Sequence, residues 1–386
     1  MDLSNRMNTY VNQKWPLGIY SFNDDIANIP DVVKLTVGEP GFHTPAHIKE
    51  AAIKAIQNDD SHYTNPRGLL SLRINASKFF KSHYGLNYDP KSEMLVTTGV
   101  SEGLGSVLAA IINPGDEVII PTPIYPFYIP NVLIHDAKPI FINTDSTNFK
   151  LSPKVLAKTL KTHPKVKAVI LNDPNNPTGV VYSKAELQQL ADVIKQYPIF
   201  CLSDEIYSEL TYGCKHYSMG TMIPDQVIMF NGASKTFAMT GWRIGLVCGP
   251  KKIIDKINKV HTITITAATT CSQYATNEAF KNGADDALPM KRAYRHNSQV
   301  LCHGLDKLGF KCPKPEGAFY TFAKLPKKYQ NDSVGFAFTL AKKAHVGVVP
   351  GSVFGPGGEG YVRVSYAASL SDIKEALKRI RQFMQK

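Results

Sequence analysis

From about residue 90 onward, the chain alternates short runs of β-branched residues with segments of helical periodicity. The strand-like runs read "EMLVTTG", "DEVIIPTP", "KPIFIN", "VKAVILND", "PIFCLSDE", "QVIMFNG" and "IGLVCG". Helical patterns such as "SKAELQQLADVIKQY" lie between them. This alternation predicts an α/β fold with a mostly parallel central sheet and helices on both faces. Continuous apolar runs such as "AVIL" and "IFCL" fit strands that are buried on both sides.

The last hundred residues follow a different pattern, with "GAFYTFAKL", "VGVVP" and "YVRVSYA" ahead of a closing helix. That helix begins near Ser369 and is predicted to bury a stripe of residues at helical spacing: Ile373, Leu377, Ile380 and Met384. A smaller α+β domain fits this region, and we expect the Pro- and Gly-rich first 45 residues to pack onto it. The prediction is a large domain of residues 46–284 and a small domain of residues 1–45 and 285–386.

Composition excludes several classes of protein. The six cysteines form no C-x-x-C pair and the eleven histidines show no metal-ligand spacing, so we expect reduced thiols and no metal. The net charge of +12 comes from lysines spread along the chain, which predicts no nucleic-acid partner. There is no apolar run of membrane-spanning length and no apolar segment at the N-terminus. A cytoplasmic protein without a membrane partner is expected.

The ends of the predicted strands carry polar residues, and ligands of open α/β sheets bind beyond these ends. The turn at residues 97–101 suits a phosphate at a helix N-terminus, or is an ordinary strand-to-helix turn. The loop "NDPNNPTG" is either a rigid turn or a holder for a ligand-binding Asn176. Asp204 follows a buried run, as a helix N-cap or as the partner of a ligand cation. Tyr207 lies on the same side if a helical turn follows.

Lys235 lies among small residues in "NGASKTFAMTGWRIG", directly after a predicted strand. A desolvated lysine near other cations has a lowered pKa and attacks carbonyl groups. A phosphate turn, an asparagine, an aspartate and such a lysine together match the needs of pyridoxal 5'-phosphate (PLP). PLP requires a lysine Schiff base and an acid opposite its pyridinium nitrogen. Arg243 and the turn at residues 99–101 could hold its phosphate.

These residues resemble those of the class I aminotransferases, which are fold type I PLP enzymes of the aspartate aminotransferase superfamily. The most specific motifs are "NDPNNPTGVVYS", "SDEIYSELTY" and "SKTFAMTGWRIG". Support comes from "TVGEPGFHTP", "HYTNPRG", "PTPIYPFY" and "YVRVSYA". The likeness extends over almost the whole chain, and it implies that residues 46–284 form a PLP-binding domain.

The resemblance implies roles around the cofactor ring. Lys235 would form the Schiff base (the internal aldimine) and act as the general base, which makes it catalytic together with Asp204 and Tyr207. Asp204 would pair with the pyridinium nitrogen. Asn176 and Tyr207 would hydrogen-bond the phenolic oxygen of the ring, and Tyr125 would stack on the ring face.

Other implied roles concern the phosphate. The amides of Val100 and Ser101, with Ser234 and Arg243, would hold the phosphate group. Tyr63 would reach the phosphate in a neighbouring subunit, which implies a homodimer with shared sites.

Substrate binding is implied for a further set of residues, and two positions depart from the family pattern. Arg363 would bind the α-carboxylate, helped by Asn176 and the backbone of Gly38. Many relatives have a serine or threonine three residues before the lysine, where this chain has Gly232. No basic residue follows Gly99, as it does in some dicarboxylate-specific relatives, which disfavours aspartate as the donor.

The predicted activity is transfer of an amino group from an L-amino acid, aromatic or of broad range, to a 2-oxo acid, with 2-oxoglutarate expected. Ile19 and Tyr20 are candidates for the side-chain pocket. "PIYP", "SDEIYSELTY" and "HYS" resemble both bacterial aromatic and N-acetyl-diaminopimelate aminotransferases, so N-acetyl-LL-diaminopimelate in lysine biosynthesis stays an alternative donor. A PLP-dependent C–S β-lyase and a non-catalytic PLP-binding regulator are further alternatives.

Overall fold

A computed structural model describes residues 3–12 and 18–385. Its strands are β1 Val33–Lys34, β2 Met94–Thr97, β3 Glu117–Thr122, β4 Lys138–Asn143, β5 Val166–Asn172, β6 Phe200–Asp204, β7 Val227–Gly232, β8 Gly245–Cys248, β9 Tyr320–Lys324, β10 Val346–Gly347, β11 Val349–Pro350 and β12 Tyr361–Ser365. Each strand-like run of the sequence analysis contains one or two of these strands, so the predicted strand positions are confirmed.

The α-helices fill the intervals between the strands. They are α1 Thr9–Asn12, α2 Gly18–Asp25, α3 Ala46–Gln57, α4 Leu70–Tyr84, α5 Gly99–Ile111, α6 Tyr128–Leu133, α7 Pro153–Thr162, α8 Lys184–Ile194, α9 Ala233–Thr236, α10 Lys251–Ile265, α11 Thr270–Asn282, α12 Ala287–Asp306, α13 Ser333–Ala344 and α14 Leu370–Met384. Short 3-10 turns occupy Ser4–Arg6, Asp145–Thr147, Met219–Thr221, Thr240–Trp242, Lys327–Tyr329 and Gly351–Phe354. In the part of the chain that is described, no helix is long and apolar enough to cross a membrane.

The central sheet has seven strands in the order β2-β8-β7-β6-β5-β3-β4. Strand β8 runs antiparallel to its neighbours β2 and β7, and the other pairs are parallel. Successive residues of one strand enter different cores, because side chains alternate across a sheet. In β6, for example, Cys201 packs into one apolar core and Leu202 into the core on the other face. The predicted α/β fold with a mostly parallel sheet is confirmed.

A second, antiparallel sheet has the order β11-β12-β9, and β1 pairs in parallel with β10. Helix α14 packs nearby and is capped by Ser369, whose side chain accepts a hydrogen bond from the Asp372 amide at 3.1 Å. The helix buries Ile373 and Ile380 as predicted, whereas the predicted Leu377 and Met384 are half-buried. The division into residues 46–284 and the remainder stays a prediction.

The parallel strands end at a common level. Asn172 of β5 lies beside Asp204 of β6, and Asp204 lies beside Phe230 of β7. Lys235 lies three residues after the end of β7, in α9. The chain direction and register therefore bring these polar residues to one edge of the sheet.

Candidate active site

A cavity of about 650 Å³ opens at this edge of the sheet. Every predicted site residue except Tyr63 lines it: Gly38, Val100, Ser101, Tyr125, Asn176, Asp204, Tyr207, Ser234, Lys235, Arg243 and Arg363. The fold therefore brings together these residues that were predicted from the sequence, while the roles given to them stay predictions.

Lys235 is partly exposed and lines the cavity. Its Nζ donates a hydrogen bond to the Gly38 carbonyl at 2.7 Å. The pKa of Lys235 is lowered to about 8, chiefly by burial; the positive charges of Arg243 and Arg363 add to this shift, whereas Glu39 opposes it. An amine with this pKa is partly unprotonated near neutral pH, as a nucleophile for carbonyl carbon must be.

Asp204 ends β6 and is buried at the wall of the cavity. Its Oδ2 accepts a hydrogen bond from the Tyr128 hydroxyl, and its Oδ1 accepts one from the Ile206 amide at 3.1 Å. Burial raises the pKa of Asp204 to about 6, and the Tyr128 bond opposes this rise. Asp204 caps a turn rather than a helix, and among the described residues no cation forms an ion pair with it. A cationic ligand group would therefore find an uncompensated carboxylate here.

Asn176 is held by neighbouring strand ends. The backbone amide of Asn176 donates a hydrogen bond to Asn172 Oδ1 at 2.8 Å, and Asn172 Nδ2 donates one to the Asp204 backbone carbonyl at 3.1 Å. The Asn176–Pro177 peptide bond is cis. Tyr207 follows in the turn after β6, where its hydroxyl lies 3.2 Å from that of Tyr320. Asp204, Asn176 and Tyr207 therefore face one space.

The start of α5 forms another wall of the cavity. Val100 and Ser101 lie in its first turn, where backbone N–H groups have no carbonyl partner within the helix. The Arg243 guanidinium packs directly on Gly99, so closely that a side chain at Gly99 would collide with it. Arg243 Nη1 also donates to the Thr240 carbonyl at 2.8 Å. Helix amides beside an arginine are a typical environment for a phosphate group.

The glycine at position 232 has a packing reason. A Cβ there would lie 2.8 Å from the Ile244 carbonyl oxygen of the neighbouring chain segment. The approach of β7 to β8 therefore leaves no room for the serine or threonine of many relatives. Hydroxyl groups for a phosphate remain available from Ser101 and Ser234, which both line the cavity.

Arg363 is fully buried in β12. Its Nη1 donates to Asn176 Oδ1 at 3.1 Å and its Nη2 donates to the Thr36 carbonyl at 2.7 Å. Its Nε has no hydrogen-bond partner, and no carboxylate among the described residues forms an ion pair with it. The guanidinium instead lies against the rings of Tyr320 (4.3 Å) and Phe354 (5.2 Å). A buried cation without an anion is costly, and a ligand carboxylate would balance it.

Tyr63 lies outside the cavity and its side chain is 85% exposed. Its loop is nevertheless fixed, because the His62 carbonyl accepts from Thr270 at 2.7 Å and Thr64 accepts from Gln273 at 3.0 Å. The chain therefore presents this tyrosine to the outside on an ordered segment.

Several residues at the cavity were not predicted from the sequence. Tyr128 bonds Asp204, Tyr320 contacts Tyr207 and Arg363, and Asn172 links Asn176 to Asp204. Tyr128 follows Tyr125 by three residues in "PIYPFY", and that helical spacing was an available signal. The position of Tyr320 depends on the pairing of β9 with β12, which cannot be predicted from a local sequence pattern. Among the described residues, no histidine, cysteine or carboxylate group of three or more is arranged to hold a metal.

The family model for aminotransferase class I and II matches residues 30–380. The chain belongs to this family. It is 43% identical over 369 residues to a probable N-acetyl-LL-diaminopimelate aminotransferase of Bacillus subtilis, covering 96% of this chain and 93% of the relative. It is 36% identical to aromatic-amino-acid aminotransferase 2 of Thermococcus litoralis, over 96% of each chain. The structure of Thermus thermophilus aspartate aminotransferase with maleate superimposes with a TM-score of 0.92 at 36% identity, covering 97% of this chain and 99% of that one.

This protein is therefore a PLP-dependent aminotransferase with the fold type I architecture. The cavity fits the cofactor, since it combines a lysine of lowered pKa, a buried carboxylate without an ion-pair partner, and a helix N-terminus with an arginine packed on it. The class of activity and the cofactor predicted from the sequence are confirmed. The regulator alternative loses its basis.

Proposed function

We propose that this aminotransferase moves the amino group of an aromatic L-amino acid, or of a broad range of L-amino acids, to 2-oxoglutarate. The observation that carries this proposal is Arg363, a buried guanidinium at the cavity wall with an unpartnered Nε and no carboxylate among its described contacts. The α-carboxylate is the group that all amino and 2-oxo acids share. A buried arginine without an anion suits that shared group.

We assign the chain's residues to the reaction as follows. When bound, PLP supplies a carbonyl carbon for the amine and a ring that accepts the electrons released at Cα. Lys235 Nζ binds the cofactor and later takes the proton from the donor's Cα. Asp204 stabilises positive charge at the ring nitrogen, and Tyr207 and Asn176 donate hydrogen bonds to the ring oxygen. Tyr125 covers the ring, and Val100, Ser101, Ser234 and Arg243 bind the phosphate.

The side chain of the donor is proposed to lie against α2. Ile19 and Tyr20 of this helix line the cavity, and Tyr20 stacks on Phe127 with a centroid distance of 5.7 Å. Lys235, Arg243 and Arg363 are the cations among the described lining residues, and each has a role in the assignment above. Among the described lining residues, no cation remains for a second donor carboxylate, which favours aromatic donors over aspartate.

The test is the catalytic efficiency for L-phenylalanine, L-tyrosine and L-aspartate at fixed 2-oxoglutarate. We expect both aromatic donors to exceed aspartate. A higher efficiency for aspartate than for both would contradict the proposal for the pocket. Release of pyruvate and ammonia without a keto acceptor, from a sulfur amino acid, would point to the β-lyase alternative.

A second candidate function is amino transfer from N-acetyl-LL-diaminopimelate. It is favoured by the 43% identity to the Bacillus subtilis relative of that name. The same screen separates the candidates, because a fast reaction with N-acetyl-LL-diaminopimelate beside slow reactions of phenylalanine, tyrosine and aspartate would select this one.

We further propose a cytoplasmic homodimer in which Tyr63 reaches the phosphate of the partner's site. The exposed tyrosine on a fixed loop supports it, as do other exposed apolar side chains, Ile56 (67%) and Ile263 (84%). Tyr63→Phe should weaken PLP binding in a dimer of unchanged mass, measured by cofactor titration and sedimentation. A fully active monomer would refute the shared site.

A further inference from the structure

Tyr320 lies at the junction between two parts of the cavity. Strand β9 pairs antiparallel with β12, so that Phe322 lies opposite Arg363 and Tyr320 lies opposite Ser365. Tyr320 and Arg363 are thus diagonal neighbours on one face of the small sheet, within reach of long side chains. Tyr320 is only 1% exposed, yet it lines the cavity.

The ring of Tyr320 faces the arginine. The Arg363 Cζ lies 4.3 Å from the ring centroid, against 5.2 Å for Phe354. A guanidinium held over an aromatic face is stabilised as a cation, and more strongly when desolvated. Arg363 forms no ion pair with an acidic residue among those described, so this ring face stabilises its charge before a carboxylate arrives, alongside the hydrogen bonds to Asn176 and Thr36.

The hydroxyl of Tyr320 contacts a second residue of the site, Tyr207. It lies 3.2 Å from the Tyr207 hydroxyl, and each hydroxyl carries one proton. If Tyr320 donates to Tyr207, the Tyr207 proton stays free for a ligand oxygen. If Tyr207 donates to Tyr320 instead, its proton is taken up by this hydrogen bond and cannot reach a ligand. Gly38 packs beside this pair, as a Cβ there would lie 3.3 Å from the Tyr320 oxygen.

We propose that Tyr320 is a positioning residue for two parts of the site. Its ring holds the Arg363 guanidinium in place for the substrate carboxylate, and its hydroxyl directs the Tyr207 proton toward the ring oxygen of PLP. The proposal rests on the roles assigned to Arg363 and Tyr207 above. It gives one side chain two separable effects.

Two substitutions separate them. Tyr320→Phe removes the hydroxyl and keeps the aromatic face, so the KM of every donor should stay within about twofold. A hydrogen bond to the ring oxygen favours its anionic form, so a less well directed one should raise the pH midpoint of the bound cofactor's visible absorbance, by about half to one unit. Tyr320→Leu removes both groups and should in addition raise the KM of all donors about tenfold.

Tyr366 provides the matched control. It is fully buried in the same region, its hydroxyl donates to the Gly317 carbonyl at 3.2 Å, and it does not line the cavity. Tyr366→Phe and Tyr366→Leu should change thermal stability. They should leave the pH midpoint of the cofactor absorbance and the KM of each donor at their wild-type values.

The outcomes are decisive in either direction. An unchanged midpoint in Tyr320→Phe overturns the hydroxyl role, even if Tyr320→Leu does not fold. A tenfold rise in KM already in Tyr320→Phe, or none in a folded Tyr320→Leu, overturns the role of the ring. If Arg363→Ala raises KM while Tyr320→Leu does not, the inference fails and the proposed function stands. If Arg363→Ala leaves KM unchanged, the assignment of the carboxylate site itself fails.

Discussion

Replacement of Arg363 by alanine tests the proposed carboxylate site. In the free protein the guanidinium makes hydrogen bonds of 3.1 Å to Asn176 and 2.7 Å to the Thr36 carbonyl. Arg363→Ala leaves both acceptors without this donor, and a buried polar group without a partner costs about 1–3 kcal/mol. The variant should therefore be less stable, and its kinetics have to be measured well below its unfolding temperature.

The effect on catalysis follows from the charge. A hydrogen bond between an ionised donor and a carboxylate contributes about 1.5–3 kcal/mol, and each 1.4 kcal/mol corresponds to a factor of ten. We expect kcat/KM to fall about ten- to hundredfold. The fall should be similar for phenylalanine, tyrosine and aspartate, because Arg363 contacts the group that these donors share.

The assay is the absorbance change of the bound cofactor in the half-reaction, measured for L-phenylalanine and for phenethylamine, which lacks the carboxylate. Arg363→Ala should slow phenylalanine far more than phenethylamine. Arg73→Ala is the control, since Arg73 is a buried arginine away from the cavity that donates to the Gly68 and Pro90 carbonyls. Equal losses for the two amines in Arg363→Ala would refute the reasoning.

The remaining predictions concern the cofactor side of the cavity. Lys235→Ala should bind PLP and yet show no transamination, and borohydride should fix the cofactor to Lys235 in the wild type; labelling of another lysine by mass spectrometry would contradict the assignment. Asp204→Asn keeps the shape and loses the charge opposite the ring nitrogen, so turnover should drop about a hundredfold or more; near-normal turnover would refute the role. In the apoenzyme, the cavity-lining Lys235 has a pKa of about 8 against 10.5 in the unfolded chain. Its destabilising effect is complete below pH 8 and fades toward pH 10.5, so Lys235→Met should raise the denaturation midpoint most at pH 7 and least above pH 10.5; a gain independent of pH would contradict this.

Local patterns were sufficient for the elements and for most of the cavity. Asp204 is the last residue of a strand and Lys235 lies three residues after the end of the next one, and parallel strands end at one edge of a sheet. A sequence that marks its strands clearly therefore also marks which polar residues converge. The same logic applies to Asn176, which follows β5 after a short loop.

Contacts between distant segments were beyond the reach of such patterns. Tyr320 meets Arg363 through the register of β9 against β12, which is set by packing of the whole small sheet. Tyr128 reaches Asp204 across 76 positions of sequence, and its hydroxyl could equally have pointed to solvent. The reason for glycine at position 232 could not be predicted either, because the backbone of Ile244, which is distant in sequence, occupies the space that a side chain would need.

The number of cations in the cavity bears on both the amino donor and the 2-oxo acid acceptor that the enzyme can bind. If Lys235, Arg243 and Arg363 serve the cofactor carbon, the phosphate and the α-carboxylate, this chain has no described lining cation left for the second carboxylate of 2-oxoglutarate. The same pocket then has to take an aromatic ring in one half-reaction and a carboxylate in the other. Tyr20 suits both, since it is 64% exposed and offers an apolar face beside a hydroxyl donor. Neutral hydrogen-bond donors can bind a carboxylate, and they can also be solvated when no carboxylate is present. A fixed cation, in contrast, would be left without a counter-charge beside an aromatic side chain. A pocket whose described lining offers no further cation is therefore the arrangement that permits both substrates.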